Sequence, residues 1–302
     1  MDRSMRHALH ERRMHGSGDF PLAAYGLDIG AGEMVVVECH WHAEAEFFYV
    51  KEGETLFQVD DDYFPVRAGQ AVFIDGGDIH AAHSLNGSPC SFQAIVFDPH
   101  MLDSSSSDAV QQKLVTPLVE RRRTFPRHIQ GVSEWEIGLL GWLHNLIECC
   151  GKQEPGYEAA AKGCLYFMLQ TIAAEGRYAD RSETTPEESS RRERLKRSIS
   201  YIQQNYRRPI RIRELADQIP MSEGQFFRFF KSMTRQTPIE YLNAYRVNQA
   251  AELLLHSERK IADIALDVGF DHISYFVKVF RRTMGCSPSE YRKQHKADSA
   301  VR

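Results

Sequence analysis

Between residues 33 and 97, short runs of β-branched and aromatic residues (MVVVECHWH, EFFYV, ETLFQV, AVFI, FQAIVF) are separated by KEGE, DDDY, RAGQ, DGGD and NGSP. Short runs punctuated by turn residues predict many antiparallel strands, and hence a sandwich or barrel. After Ser107 the period changes. Apolar residues fall at 139, 140, 143, 146, 147 and 150 in Ser133–Cys150, and at 165, 168, 169 and 172 in Glu158–Ala174, with KQEPG between the two segments. Three- and four-residue spacing on both sides of a short connection predicts an αα-hairpin with an apolar stripe. Leu139, Leu140, Leu143, Leu146, Ile147 and Cys150 spread over a wider arc than one partner helix covers. The excess is expected to meet a second copy of the chain or to pack on the strands.

Gly176–Ser190 (GRYADRSETTPEESS) has almost no apolar residue and is expected to be a linker between a domain of residues 1–175 and one of residues 191–302. Beyond it, Leu195, Ile199, Ile202 and Tyr206 form a helical stripe. That helix should stop before Arg208-Pro209, because a residue preceding proline is pushed out of the α region. An internal repeat follows. Phe226, Phe230, Pro238 and Tyr241 return fifty residues later as Phe276, Phe280, Pro288 and Tyr291, while Ala216 returns one residue out of step as Ala265. Each copy reads as a short helix, a turn, a longer helix and a Thr-Pro or Ser-Pro entry into the next helix, with Ile239–His256 joining the copies. This is the plan of a helix-turn-helix, whose second helix can lie in the major groove of DNA. In the first copy Phe226, Phe229, Phe230 and Met233 share one face and leave Gly224, Gln225 and Arg228 outward, with Ser222 placed as N-cap. In the second, Phe276, Val279 and Phe280 point inward, while His272, Ser274, Tyr275 and Lys278 point outward. Arg228 and Lys278 stand at the same offset, where a basic side chain suits base or phosphate contact.

The composition, 42% hydrophobic and 26% charged over 302 residues, is that of a folded protein. No stretch approaches the ~18 apolar residues of a membrane span. The opening residues carry Arg3, Arg6, Arg12 and Arg13 without the apolar core of a signal peptide, so a cytoplasmic location is expected. Six cysteines without a CxxC pair suggest reduced thiols. The net charge of −4 conceals an asymmetry: residues 191–302 hold 22 basic and 12 acidic side chains, net +10, which leaves −14 for residues 1–190. A basic domain of this kind suits a polyanion. A solvated basic face is the alternative, although it does not explain the matched turns.

The stretch Leu215–Tyr291, above all KIADIALDVGFDHISYFVKVFRRTMGCSPSEYR, resembles the arabinose-regulator (AraC) family of bacterial transcription factors. The resemblance implies binding to double-stranded DNA through two recognition helices in successive major grooves, bridged by one long helix. Carried onto this chain, the contact positions are Gly224, Phe227 and Arg228, then Ile273, Ser274 and Lys278. Gly224 and Ile273 supply no side-chain hydrogen bond. Either they read thymine methyls and shape, or Gln225, His272 and Tyr275 take over the polar readout.

In the acidic half, His40-Trp41-His42 is followed by Glu46 and Gly53, and then by Gly69, Asp75-Gly76-Gly77 and His80. Histidines one residue apart on a strand share a face, and Glu46 and His80 can approach from neighbouring strands. Three histidines and a carboxylate suit a divalent transition metal. The arrangement resembles the two motifs of the cupin barrel, with His40, His42, Glu46 and His80 at its metal-ligand positions and Asp75 where proline is usual. The reading adopted is a pocket of His40, Trp41, His42, Glu46 and His80 that receives a small-molecule effector with no metal or cofactor. A bound metal, or a metal-dependent cupin enzyme fused to the DNA-binding domain, is the alternative. Trp41, Phe47, Tyr49 and Phe57 could offer a sugar an aromatic surface, or could simply be core, and the resemblance implies a response to carbohydrates. The expectation is an α+β chain: a cupin-like β-barrel with an αα-hairpin, then an all-α double helix-turn-helix domain. It would act as a ligand-responsive, non-enzymatic activator, dimerising through the hairpin.

Overall fold

The structure, a computed structural model, describes residues 15–32, 35–180 and 186–299, so Arg3, Arg6, Arg12 and Arg13 lie outside the described residues. Its first unit is built on β1 (Leu22–Ile29), β2 (Val35–His40), β3 (Ala45–Val59), β4 (Asp62–Arg67), β5 (Ala71–Ile74), β6 (His80–Ser84) and β7 (Cys90–Phe97). With β9 (His128–Ile129) they form two antiparallel layers, β1-β7-β3-β5-β9 and β2-β6-β3-β4, which share β3. Residues 45–53 of β3 pair with β7 and β5, and residues 54–59 pair with β4 and β6. The strand changes layers at a register shift between Val50 and Glu52 and at Gly53, whose φ is 78° and where a Cβ would strike the Pro89 carbonyl. A bulge bends and twists the strand that carries it. KEGE, expected as a turn, is therefore a bend inside one strand of 15 residues. β1 is absent from the expected strands because alanine and glycine dilute the alternation of LAAYGLDI.

After α1 (Thr116–Val119) and β8 (Arg123–Thr124), the expected hairpin is present as α2 (Glu134–Lys152) and α3 (Tyr157–Ala174). The Glu136 carboxylate fixes the start of α2 by accepting the N–H groups of Ser133 at 3.0 Å, Val132 at 3.1 Å and Gln130 at 3.0 Å. The apolar arc does not face outward. Leu139, Leu143, Leu146, Ile147 and Cys150 pack with Leu165, Met168, Leu169 and Ile172 and, in the same core, with Ala45, Phe47, Phe73, Ile95 and Phe97 of the strands. The outer face of the β1-β7-β3-β5 layer thus covers what one partner helix could not, so Leu143 and Ile147 are interior and not an interface. β10 (Ala179–Asp180) pairs with β8, and the next helix begins at Pro186. Both lie within the stretch expected as linker, and the second compact unit starts at Pro186.

That unit is all helical: α4 (Pro186–Asn205), α5 (Ile212–Asp217), α6 (Glu223–Thr234), α7 (Pro238–His256), α8 (Ile261–Asp267), α9 (Ile273–Met284) and α10 (Pro288–Ser299). Its repeat is geometric as well as sequential. Phe226 and Phe230 lie 5.6 Å apart and Phe230 meets Tyr241 edge-on at 5.5 Å; Phe276 and Phe280 lie 5.5 Å apart and Phe280 meets Tyr291 edge-on at 5.6 Å. Capping boxes start α6 (Ser222 and Gln225) and α7 (Thr237 and Glu240), and Ser287 and Glu290 exchange the same bonds at α10. Buried Arg246 of α7 joins the halves. Its Nε donates to the Tyr206 carbonyl and Nη2 to that of Arg208, both at 2.8 Å, and its guanidinium lies over the Phe270 ring.

Among the described residues no helix is long and apolar enough to cross a membrane. All six cysteines are free thiols, and burial pushes Cys90 up to about 11 and Cys150 up to about 12.

The turn before α9 passes close to the chain that leaves α4. Gly269 has φ 93°, and a Cβ there would come within 2.5 Å of the Tyr206 carbonyl and 2.9 Å of that of Arg207. Gly269→Ala should therefore destabilise the helical unit by about 3 kcal/mol, combining backbone strain with a clash against immobile main chain. Urea denaturation followed by circular dichroism will show whether the helical transition moves to lower urea.

Candidate functional site

His40 ends β2 and is paired with His80, the first residue of β6. Glu46 sits on β3 beside Phe47, and strand alternation sends the two side chains to opposite faces. Phe47 joins the core under the hairpin, and Glu46 turns toward the β2-β6 layer. His42 lies two residues beyond β2, not on the strand with His40 as alternation suggests. Its loop is held instead by its own carbonyl, which accepts the Gly77 N–H at 2.6 Å, and by Gly76, where a Cβ would strike the Ala43 carbonyl.

These elements bring together the four residues singled out in the sequence, with 5% exposure or less for His40, His42, Glu46 and His80. One ligand atom from each lies within 4.8 Å of the others. Glu46 Oε2 is 3.0 Å from His42 Nε2 and 3.3 Å from His80 Nε2. Every Nδ1 is bonded to a main-chain carbonyl: His40 to Glu38 at 2.8 Å, His42 to Glu44 at 3.1 Å and His80 to Asp78 at 3.0 Å. A carbonyl only accepts, so Nδ1 carries the proton and, in the neutral rings, each Nε2 lone pair faces the cluster. Lone pairs and a carboxylate so placed repel unless a proton or cation lies among them. Burial pulls the His80 pKa down, but the hydrogen bond and charge of Glu46 outweigh it and hold it raised. Burial, reinforced by His80 and His42, holds His40 well below its ordinary value. Burial would raise Glu46, yet the hydrogen bonds of His42 and His80 hold it far below the carboxylate range. Among the described residues the buried His40 Nε2 has no hydrogen-bond partner. This donor set of three imidazole nitrogens and one carboxylate fits a divalent transition metal.

Trp41 is partly buried between the two histidines. Phe47 is not in the pocket, since it packs against Phe73, Phe97 and Phe125. Phe57 packs on Phe48, which stacks on Phe92, so these rings form a filled apolar wall. Sequence reasoning missed His15, which is buried, bonds through Nδ1 to the Tyr25 hydroxyl at 2.8 Å, and forms a second group with His42 and Glu44. The available signal was Gly16, with φ 83° and main chain where a Cβ would go.

In the helical unit α6 and α9 are both 12 residues long. Gly224, Gln225 and Arg228 are exposed and Phe227 is half-buried; His272, Ile273, Ser274, Tyr275 and Lys278 are all exposed. Two of these side chains already have partners. Gln225 Oε1 accepts the Ser222 N–H at 3.0 Å and the Ser222 hydroxyl at 2.9 Å, and the Tyr275 hydroxyl accepts from Asn243 Nδ2 at 3.0 Å.

Residues 215–294 match the family model of a helix-turn-helix domain, and residues 28–97 match that of a cupin domain. An uncharacterised HTH-type transcriptional regulator of Bacillus subtilis, YdeC, is 25% identical over 287 residues, covering 95% of this chain and 97% of its own. The HTH-type transcriptional activator RhaR of Klebsiella pneumoniae subsp. pneumoniae is 26% identical over 266 residues, covering 85% and 88%. The chain has the domain pair of AraC-type transcription regulators, a cupin domain ahead of a helix-turn-helix domain. The solved structure of apo ToxT from Vibrio cholerae is 16% identical, covering 93% of this chain and 98% of its own, with a TM-score of 0.46. The two matched domains and the observed elements make this an α+β chain, a cupin-like antiparallel domain followed by a helical helix-turn-helix domain.

Glu46 brings a carboxylate within 3.0 Å of His42 Nε2 and 3.3 Å of His80 Nε2, and removing it takes away the counter-charge on that side of the rings. Glu46→Ala should lower stability by about 3 kcal/mol near neutral pH. The His80 contribution is complete below the ordinary histidine value of about 6.5 and is lost as pH rises through its raised folded value. The gap between wild type and variant should therefore narrow on going alkaline, and denaturation at several pH values measures it.

Proposed function

We propose that this AraC-type regulator controls transcription in response to a small-molecule effector received by the pocket of His40, Trp41, His42, Glu46 and His80, with no catalysis in the barrel. The observation that carries this reading is the buried polar cluster with its imidazoles fixed from behind, in a unit separate from the DNA-binding helices. In this reading residues 1–175 sense and dimerise, the linker lies within 176–190, and residues 191–302 bind double-stranded DNA from the cytoplasm. The DNA contacts come from Gly224, Phe227 and Arg228 of the first unit and His272, Ile273, Ser274, Tyr275 and Lys278 of the second. Activation is the mode that the name of RhaR supports. A carbohydrate is the effector class that the family resemblance implies.

The unpartnered His40 Nε2 favours a second reading of the same pocket, in which a divalent metal held by the four side chains forms part of the effector site. The metal would supply a Lewis-acidic centre for an oxygen-bearing effector, while the chain itself supplies orientation and a dry wall.

Thermal unfolding of the full chain against a panel of sugars, related metabolites and divalent metals tests both readings. A ligand of the native state at a hundred times its Kd adds about 2.7 kcal/mol of stability. A rise in Tm with one of the small molecules is expected, and no response to any of them would overturn the effector reading. One equivalent of metal retained through dialysis would support the second reading, and well under one equivalent would leave a metal-free receptor.

We also propose a homodimer through the outer face of the hairpin. Ile137 and Phe167 are 58% and 49% exposed there, and Trp142 stacks on Phe167 at 4.3 Å. Gly138 and Gly141 of α2 and Gly163 of α3 have open space where a Cβ would stand. A mid-helix glycine costs about 1 kcal/mol relative to alanine, and nothing among the described residues uses these gaps. A second copy packed closely against the face would use them. Ile137→Glu combined with Phe167→Glu should give a folded monomer by sedimentation, and an unchanged dimer would place the interface elsewhere.

A further inference from the structure

The two recognition helices use one position in opposite ways. Gln225 and Tyr275 are fifty residues apart and each is the third residue of its helix, in α6 and α9. Gln225 is folded back on its own helix, because its Oε1 accepts both the N–H and the hydroxyl of Ser222. A glutamine that reads adenine presents Oε1 and Nε2 together to the base edge, and the capping box already engages one of the two. Gly224 adds no side chain and Phe227 no polar atom, so among the contact positions of α6 Arg228 is the polar group that stays available.

α9 is built differently. Its N-cap residue, His272, makes no side-chain capping bond, so nothing draws the third residue back. Tyr275 is propped outward. Its ring lies 6.0 Å from that of Phe270, and its hydroxyl oxygen accepts from Nδ2 of Asn243, a buried residue of the bridging helix α7. The residue nevertheless remains 48% exposed. An exposed tyrosine held at both ends has little side-chain freedom left to lose on binding. Because the amide donates to the phenol oxygen, the phenol's own hydrogen points away from Asn243 and is available to an acceptor on DNA.

We propose that the helices divide the work: Tyr275, held by Asn243, is a hydrogen-bond-donating base reader of α9, whereas α6 contributes Arg228 and apolar contact and Gln225 serves only its own helix. Asn243 is then a positioning residue that acts through Tyr275. The acceptor would be a major-groove atom such as guanine N7 or O6, adenine N7 or thymine O4. The proposal rests on the DNA-binding reading, and a wild-type chain that selected no sequence would fail that reading and not this one.

The test is selection of full-length protein on a pool of randomised duplex DNA, followed by affinity measured against salt. Tyr275→Phe keeps the exposed ring and removes only the hydroxyl. It should relax preference at one base pair by about 2- to 13-fold, the worth of a single neutral hydrogen bond, with the slope of log K against log salt unchanged. Asn243→Asp can only accept, so it should capture the phenol hydrogen and relax preference at the same base pair. Gln225→Ala should leave the selected sequence as it is in wild type. An unchanged preference in Tyr275→Phe, or a Gln225→Ala variant that relaxes as far as Tyr275→Phe, would overturn the division of work. A salt slope that falls by about one in Tyr275→Phe would show a phosphate contact instead of a base contact and would equally overturn it.

Discussion

The continuity of β3 through its bend at Val50–Gly53 is the constraint on which the first unit depends. One strand serves both layers, so whatever lies on its two faces is locked in register with both. Glu46 and Phe47 are neighbours in sequence and opposite in destination. Phe47 helps to bury the apolar arc of the hairpin, and Glu46 carries a charge into the space between the layers. Taking a carboxylate out of water is costly. Burial of a large aromatic and the hairpin leucines behind the same strand offsets that cost locally, at about 1.5–3 kcal/mol per large side chain. A break at Gly53 would disconnect the cluster from the core that supports it.

The helical unit is organised by repetition. The ring geometry around Phe230 and Phe280 agrees within 0.1 Å in each distance, and similar capping pairs start the helices that follow. Arg246 is the exception that joins the copies. Its hydrogen bonds end on the carbonyls after α4, so the bridging helix is fixed both to the start of the unit and, through Phe270, to the turn of the second copy. The two recognition helices are thus presented by one continuous support.

Much of this was legible in the residues. The hairpin stripe, the fifty-residue repeat, the N-cap at Ser222 and the convergence of His40, His42, Glu46 and His80 all follow from spacing and side-chain chemistry. What escaped depended on the third dimension. KEGE looks like a turn because lysine, glutamate and glycine are turn-compatible, and only the pairing partners of β3 show that the strand continues. The leucines at 143 and 147 look like surplus because the layer that covers them is distant in sequence. Gln225 looks like a base reader because its side chain points outward on a helical wheel, which does not show that it bends back to Ser222. His15 belongs to no periodic segment at all.

The carbonyls behind the three imidazoles have one further consequence. The groups that fix which nitrogen of His40, His42 and His80 faces inward belong to residues 38, 44 and 78, but to their backbone and not to their side chains. Those bonds persist under any substitution that keeps the local path of the chain. Descendants of this sequence can therefore drift at the three positions while the rings stay oriented. A comparison of residue types alone would find the four donors and miss the scaffold that aims them, because that scaffold leaves no imprint in the alphabet of the chain.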